Sequence, residues 1–306
     1  MEQLYLGIEI GGTKLQLVTE DSSGAILNRW RHNVKRDEGG AGIRSQIATT
    51  VKEILAGSKL AGVGVGFGGP VDSRTGRICC SHHIEGWSDF ELGEWLGKLA
   101  GSPIRVDNDA NVAALGESRH GAGRGFDPVF YVTMGSGVGG GLVVKGMIYH
   151  GATPGESEIG HVRLDKSGTI LENRCSGWAV DRRIREALPS HPESLLTRLV
   201  GSARGGEACQ LGPALAAGDV LARRILDETA EDMAFGLSHV THLVHPRVIV
   251  LGGGLALLGE PLRAAIAAHL PRFVMDAFAP GPEVRLAELR EDSVPVGALV
   301  LARMNP

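Results

Sequence analysis

The residues best suited to catalysis form a polar run, Val106-Asp107-Asn108-Asp109-Ala110-Asn111, at the end of a predicted strand. A carboxylate held where a strand ends can accept a proton from a substrate hydroxyl. Short polar side chains in such a place also accept the first N–H groups of a helix, and the pattern predicts a helix from Asp109 to about Arg119. Helix capping by Asn108 or Asp109 and proton transfer both stay open, because one side chain can cap while another acts as a base.

Two glycine-rich turns are candidates for binding phosphate. The first is Glu9-Ile10-Gly11-Gly12-Thr13-Lys14, whose glycines let backbone N–H groups approach an anion while the hydroxyl and ammonium groups add donors. A hairpin that only closes a turn is the alternative. The second is Gly135-Ser136-Gly137-Val138-Gly139-Gly140-Gly141, which matches a dinucleotide fingerprint but is followed by predicted strand. Rossmann and P-loop sites are therefore excluded, since the P-loop consensus is also missing.

A polar loop from His150 to His161 contains Glu156 and Glu158. Glu158 and His161 are three residues apart and would share one face of a helix, where they could hold a metal. One such pair lacks the further ligands that a metal needs, so a site for substrate hydroxyl groups is the preferred interpretation. A solvated loop is the alternative.

Hydrophobic periodicity predicts the elements that position these residues. Strands are predicted at 4–10, 15–19, 25–34, 61–67, 104–106, 129–134, 141–144 and 248–251, and helices at 43–55, 90–99, 109–119, 177–187, 220–244 and 293–304. Strands that run into glycine turns, separated by helices, indicate an α/β protein. The strand-turn-strand element occurs twice, which predicts two related domains around a cleft with a boundary near 120–125.

Length and composition bound the class of protein. The chain has 306 residues, 43% of them hydrophobic, which is enough for about two domains with sizeable cores. The net charge of −4 gives no electrostatic basis for binding nucleic acid. Since no basic flank precedes the first apolar stretch and no apolar run reaches the ~18 residues of a membrane span, we expect a soluble cytoplasmic protein with no membrane partner.

Six segments occur together in an order that resembles one family. They are Gly7-Ile8-Glu9-Ile10-Gly11-Gly12-Thr13-Lys14, Gly66-Phe67-Gly68-Gly69-Pro70-Val71-Asp72, 106–117, 135–141, Glu158-Ile159-Gly160-His161 and Val250-Leu251-Gly252-Gly253-Gly254. The sequence resembles the ROK sugar kinases, which are bacterial hexose and N-acetylhexosamine kinases of the actin-like ATPase superfamily. The resemblance implies two actin-like (ribonuclease H-like) domains that flank a cleft, 1–120 joined by the helix at 293–306, and 121–292. It also implies a homodimer.

The resemblance also implies roles for individual residues. Asp109 matches the catalytic base. The matched sugar contacts are Gly68, Gly69, Asn108, Asp109, Glu158, His161 and Glu172. The residues matched to ATP, which carries Mg²⁺, are Glu9, Gly11, Gly12, Thr13, Lys14, Gly135, Ser136, Gly137 and Gly139, with Gly252, Gly253 and Gly254 at the adenosine.

The chain departs from the family pattern in several places. Many members carry a zinc hairpin with three cysteines after the histidine, but no cysteine lies between His161 and Glu172. The cysteines at 79, 80, 175 and 209 have no zinc-site spacing, so we expect reduced thiols and no structural zinc. Glu9 stands where many members have Asp, and still offers a hard oxygen ligand for Mg²⁺. His83 falls where Asn is common near the sugar, which leaves the identity of the sugar open; surface positions for His82 and His83 are the alternative.

The sequence thus predicts an ATP-dependent sugar kinase of the glucokinase type, with a hexose or N-acetylhexosamine as acceptor. A sugar- or nucleotide-binding protein or sensor with weakened catalysis is the alternative, given Glu9 and the missing hairpin. A ROK-type repressor would carry a helix-turn-helix ahead of the kinase-like part. It is not expected, because the first predicted strand begins at Leu4.

Overall fold

The computed structural model describes residues 3–21, 26–81, 84–153, 155 and 157–304. Within these residues the strands are β1 Gln3–Ile10, β2 Lys14–Glu20, β3 Ile26–Asn33, β4 Lys59–Phe67, β5 Val71–Asp72, β6 Arg77–Ile78, β7 Ile104–Asn108, β8 Val129–Met134, β9 Val138–Val144, β10 Met147–Ile148, β11 Val248–Gly252 and β12 Glu283–Leu286. The α-helices are α1 Gly39–Gly57, α2 Leu92–Ala100, α3 Asp109–His120, α4 Glu172–Cys175, α5 Gly177–Ala187, α6 Leu195–Val200, α7 Leu211–Ala216, α8 Val220–Val244, α9 Glu260–His269 and α10 Ser293–Arg303.

The predicted elements are present, with small shifts at their ends. The second strand of the glycine hairpin, β9, begins at Val138 and not at Gly141, because the turn itself takes only three residues. Helix α9 and strand β12 were not predicted. Residue 25, where the third predicted strand starts, lies outside the described residues.

Contacts divide the chain into two compact units. Unit 1 contains Met1–Gly125, Gly141–Glu156 and Glu288–Pro306, and unit 2 contains Phe126–Gly140 and Ser157–Ala287. The boundary thus passes through β9. The domains expected from the sequence, 1–120 with 293–306 and 121–292, stay a prediction.

The sheet of unit 1 has the strand order β3-β2-β1-β4-β7. Strands β1, β2 and β3 form an antiparallel meander, as predicted, while β4 pairs parallel with both β1 and β7. The pairing places Ile10 beside Phe67 and Phe67 beside Asn108. The carboxyl ends of three parallel strands therefore lie at one edge of the sheet, which is where α/β proteins place their ligands.

The alternation of glycine and apolar residues in β4 has a structural reason. Val63, Val65 and Phe67 are buried in the core that includes residues of α1 and α2. The glycines between them face α10, where a methyl group on Gly64 would lie 1.9 Å from the carbonyl oxygen of Ala298. Glycine thus lets the backbone of α10 lie directly against the sheet, which a side chain at this position would prevent.

The second sheet repeats the strand order of the first, as β10-β9-β8-β11-β12. In unit 2, β11 pairs parallel with both β8 and β12, and all residues of β11 are buried. The pairing places Thr133 beside Gly252, so that β8 and β11 also end at one edge. Among the described residues, no helix combines the length and the hydropathy that crossing a bilayer requires.

Candidate functional site

Asp109 lies at the carboxyl edge of the sheet in unit 1, beside the first glycine turn. The N–H of Gly11 donates to the carbonyl of Lys14 at 2.9 Å, which closes the turn, and the N–H of Gly68 donates to the carbonyl of Ile10 at 2.9 Å. A methyl group on Gly68 would lie 3.4 Å from Asp109 Oδ2 and 3.7 Å from the Cα atom of Gly11. The carboxylate is half-buried. The structure thus brings together the predicted base, a predicted sugar contact and the first glycine turn.

Asn108 is the residue that caps helix α3. Its Oδ1 atom accepts hydrogen bonds from the N–H groups of Ala110 at 2.8 Å and Asn111 at 3.4 Å. Its Nδ2 group donates to the carbonyl oxygen of Gly69 at 3.2 Å. Of the two caps that the sequence left open, Asn108 and Asp109, the structure thus has the Asn108 amide. Asp109 becomes the first residue of the helix, where the positive end of the helix dipole favours a negative charge.

Glu9 and Lys14 form an ion pair next to the first turn. The Lys14 Nζ atom lies 3.2 Å from Glu9 Oε2, and the Gln16 side chain donates to the same oxygen at 3.2 Å. Burial raises the pKa of Glu9, and the nearby Lys14 ammonium opposes this rise. Thr13 is exposed, while Gly11 and Gly12 are half-buried. This turn therefore presents backbone N–H groups, one hydroxyl, one ammonium and one carboxylate.

The carboxylate of Glu9 is of the type that Mg²⁺ prefers. No described group of three or more His, Cys, Asp or Glu side chains could hold a metal ion by itself. Mg²⁺ that arrives with ATP keeps several waters and phosphate oxygens and needs only one or two protein carboxylates. The residues present therefore fit a metal ion held chiefly by the nucleotide.

The two glycine turns of unit 2 lie side by side at the ends of β8 and β11. The N–H of Gly135 donates to the carbonyl of Gly137 at 2.9 Å, which closes a three-residue turn with Ser136 exposed at its tip. Gly253 has φ +82°, and a methyl group there would lie 2.6 Å from the backbone nitrogen of Met134. Glycine at position 253 is thus required both by its backbone conformation and by the close approach of the neighbouring strand. Gly139 is half-buried, Gly252 is buried and Gly254 is exposed.

Helices α4 and α5 begin against the turn at 135–137. The N–H of Gly177 donates to the carbonyl of Gly135 at 2.7 Å, and Glu172 Oε2 accepts from the N–H of Val138 at 2.9 Å. The predicted sugar contact Glu172 is thus hydrogen-bonded to the backbone of a predicted nucleotide loop. Sequence reasoning missed Gly177. The N-cap residue Ser176 in front of the predicted helix is the signal that could have indicated it.

Glu158 directly precedes a short 3-10 turn, Ile159–His161, and His161 is the last residue of that turn. Both residues are exposed by surface area, yet enough protein surrounds the Glu158 carboxyl to raise its pKa by desolvation. His161 opposes this rise in pKa, and Glu172 adds to it through repulsion between the two carboxylates. The three predicted sugar contacts of unit 2 therefore lie within electrostatic reach of one another.

The other residues singled out from the sequence include a buried cysteine and three residues that lie outside the described part of the chain. Cys175 is buried, its thiol donates to the carbonyl of Thr229 at 3.5 Å, and burial raises its pKa, so this thiol is unreactive. His82, His83 and Glu156 lie outside the described residues. The absence of a structural zinc stays a prediction.

Within each unit the predicted residues form a group. Those of unit 1 are Glu9, Gly11, Gly12, Thr13, Lys14, Gly68, Gly69, Asn108 and Asp109, and those of unit 2 are Gly135, Ser136, Gly137, Gly139, Glu158, His161, Glu172, Gly252, Gly253 and Gly254. The first group joins a carboxylate to a glycine turn, and the second joins two glycine turns to further carboxylates. The assignment of each residue to sugar or nucleotide stays a prediction.

Comparison with known proteins extends this picture to the whole chain. The model of the ROK family matches residues 5–305. The glucokinase of Halalkalibacterium halodurans is 32% identical in an alignment that covers 97% of this chain and 94% of that protein. The glucokinase of Thermotoga maritima is 30% identical over 301 residues, which cover 96% of this chain and 95% of that protein.

A solved structure gives the same result for the fold. The crystal structure of a ROK family glucokinase from Streptomyces griseus in complex with glucose and AMPPNP has a TM-score of 0.86 and 30% identity, and the match covers 99% of this chain and 100% of that chain. This likeness confirms the predicted fold class, an α/β protein with two actin-like domains. Because the family match extends over nearly the whole sequence, the protein belongs to the ROK family.

Proposed function

We propose that this protein transfers the terminal phosphoryl group of ATP to a hydroxyl group of a hexose or N-acetylhexosamine, with Asp109 as the general base. The protein is an ATP-dependent carbohydrate kinase, given its full-length similarity to glucokinases at 30–32% identity. The observation that carries the finer proposal is the position of the Asp109 carboxylate beside Gly68 and the first glycine turn. A base and a phosphate-binding turn at one edge of a sheet are what phosphoryl transfer to an alcohol requires.

Phosphoryl transfer needs little covalent help from the protein. Its transition state is loose, so alignment of the reactants and donors on the phosphate oxygens do most of the work. We assign the donors to the N–H groups and side chains of the turn at 11–14 and of the turn at 135–139, with 252–254 at the adenosine. Mg²⁺ bound with ATP, near Glu9, would neutralise negative charge on the phosphates.

The acceptor side of the reaction is assigned to polar groups that can form hydrogen bonds with hydroxyls. In unit 1 these are Asn108 and Asp109, and in unit 2 they are Glu158, His161 and Glu172. The raised pKa of Glu158 supports this assignment, since a carboxyl whose charge is disfavoured by burial gains from hydroxyl donors when a sugar binds. Location in the cytoplasm and assembly as a homodimer belong to the same proposal.

A coupled ADP-release assay over a panel of hexoses and N-acetylhexosamines tests the reaction. We expect ATP-dependent release with at least one sugar and none without sugar. If no sugar supports ADP release while sugar binding is measurable by calorimetry, the binding or sensor function of the same fold takes its place.

The variant Asp109→Asn tests the base. We expect a fall in kcat of about 10² or more with sugar affinity largely unchanged, because the amide keeps the shape of the side chain but cannot accept the proton. The matched control is Glu53→Gln, the same loss of charge on an exposed part of α1, which should leave kcat unchanged. An Asp109→Asn enzyme as active as wild type would remove Asp109 from the role of base.

A further inference from the structure

Asp107 is a buried carboxylate directly in front of the predicted base. The residue is 4% exposed and lies near the end of β7. Its Oδ1 atom accepts hydrogen bonds from the N–H of Asn108 at 2.8 Å and from Asn111 Nδ2 at 3.0 Å. Its Oδ2 atom lies 2.6 Å from His150 Nε2. A carboxylate only accepts hydrogen bonds, so the imidazole donates from Nε2.

These hydrogen bonds of Asp107 involve the residues on either side of Asp109 in the sequence. Asn108 precedes Asp109 and Asn111 follows it by two residues, so that both neighbours are fixed by one oxygen of Asp107. Asn108 in turn caps the helix that begins at Asp109. The direction of the Asp109 side chain therefore depends on the orientation of the Asp107 carboxylate.

His150 sets that orientation from a different part of the chain. It lies just after β10, two residues beyond Ile148, and its side chain is 39% exposed. One ring nitrogen holds Asp107 Oδ2, so rotation of the carboxylate away from Asn108 and Asn111 would break the bond to the imidazole. Without this donor, an almost fully buried carboxylate would lose one of its partners and would move or take up a new rotamer.

We propose that His150 and Asp107 are a pair of positioning residues for the phosphoryl acceptor site. His150 is the hydrogen-bond donor that orients Asp107. Asp107 is the acceptor that fixes Asn108 and Asn111 on either side of Asp109. This inference rests on the proposed function, in which Asp109 is the base. Neither residue of the pair is assigned a contact with sugar or ATP. The pair acts on the turnover number, because an error of about 1 Å in the position of a catalytic group can lower the rate about 10²-fold.

Two substitutions separate positioning from packing. His150→Ala removes the donor, whereas His150→Gln keeps a side-chain N–H donor on a residue of similar reach. The matched control is His120→Ala, which removes an exposed imidazole at the end of α3 in the same unit. For each protein, kcat and the KM values for sugar and for ATP are measured with the sugar that the wild type uses best.

We expect His150→Ala to lower kcat about tenfold to a hundredfold with the KM for ATP unchanged. His150→Gln should recover most of the lost kcat, and His120→Ala should behave as wild type. The proposal is overturned if His150→Ala keeps the kcat of wild type, or if the Ala and Gln variants are equally slow.

A second measurement does not depend on activity. Hydrogen–deuterium exchange of the unliganded protein reports on the N–H groups of residues 108, 110 and 111, each of which is bonded to Asp107 or Asn108. Faster exchange in this segment for His150→Ala but not for His150→Gln or His120→Ala supports the pair, and unchanged exchange refutes it. If the wild type phosphorylates no sugar, the proposed function fails, while the exchange experiment still decides whether His150 fixes the backbone around Asp109.

Discussion

The carboxylate of Glu117 offers the most direct test of what holds unit 1 together. This side chain of α3 is 0% exposed. Its Oε1 atom accepts from the N–H of Leu289 at 2.9 Å and the hydroxyl of Ser293 at 2.8 Å, and its Oε2 atom accepts from the N–H groups of Ala122 at 2.8 Å and Glu288 at 3.1 Å. One carboxylate thus joins α3 to the segment that follows it and to the segment that leads into α10.

The variant Glu117→Gln keeps the size of the side chain but replaces one oxygen by an NH₂ group. At the Oε2 position this group would face two N–H donors, whereas at Oε1 it would face one N–H and a hydroxyl that can rotate to accept. The second arrangement is better, and it leaves the N–H of Leu289 without its acceptor, which costs about 1–3 kcal/mol when buried. The two bonds at the remaining oxygen also lose their ionic character, at about 1 kcal/mol each.

Relief from burying a charge offsets part of this loss, so we expect the free energy of unfolding to fall by about 3 kcal/mol. This is a large fraction of the ~5–15 kcal/mol typical of a folded domain. Urea unfolding followed by tryptophan fluorescence measures it, because Trp30, Trp87 and Trp95 all lie in unit 1 and only one of the four tryptophans lies elsewhere. Glu53→Gln, on an exposed part of α1, is the control. A loss below about 1 kcal/mol for Glu117→Gln would refute the reasoning.

Two further predictions concern the glycine turns. Gly253→Ala should lower the free energy of unfolding by about 3 kcal/mol or more and raise the KM for ATP, because φ +82° with ψ 178° is accessible almost only to glycine and a methyl group would lie 2.6 Å from the backbone of Met134. Gly57→Ala, where a methyl group meets nothing within 4 Å, is the control in urea unfolding, and equal stability of the two variants would contradict the prediction. Glu9→Gln should raise the free energy of unfolding at pH 7 but not near pH 4. Burial raises the pKa of the Glu9 carboxyl, so the folded state favours its neutral form. The stability that this carboxyl contributes is therefore present below its ordinary pKa and is lost as the pH rises through its folded-state pKa. Urea unfolding of wild type and variant at the two pH values tests this, and a less stable variant at pH 7 would show that the ion pair with Lys14 outweighs the burial of the charge.

Local pattern was sufficient to predict most of the fold. The meander of β1 to β3 follows from apolar runs broken by turns, and α8, Val220–Val244, follows from the helical spacing of its apolar residues. In each case the residues that form the pattern are close together in the sequence. Strand β12 was not predicted because only four residues form it and its pairing partner β11 is more than 30 residues away in sequence. Such a strand is stabilised by contacts that no local window contains.

The candidate site was predictable in its residue types but not in its hydrogen bonds. The run at 106–111 indicated a cap and a carboxylate, yet nothing local shows that the cap is Asn108 or that His150 binds Asp107 from 43 residues away. Likewise, the spacing of Glu158 and His161 left open whether the polar loop turns into a helix, and the structure has a 3-10 turn there. The bond from Val138 to Glu172 forms only after the chain has folded back on itself, so the sequence pattern could not indicate it.

The packing of α10 determines the order in which the two units can be completed during synthesis. This helix lies against β1, β4 and α3, where Gly64 and Gly297 allow backbone contact, but its own residues, Ser293–Arg303, are translated after all of unit 2. Unit 2 ends at Ala287 and has all its residues earlier. Most of unit 1 is therefore synthesised before unit 2 but completed after it, and until α10 has been made the glycine-lined face of its sheet lacks the helix that covers it.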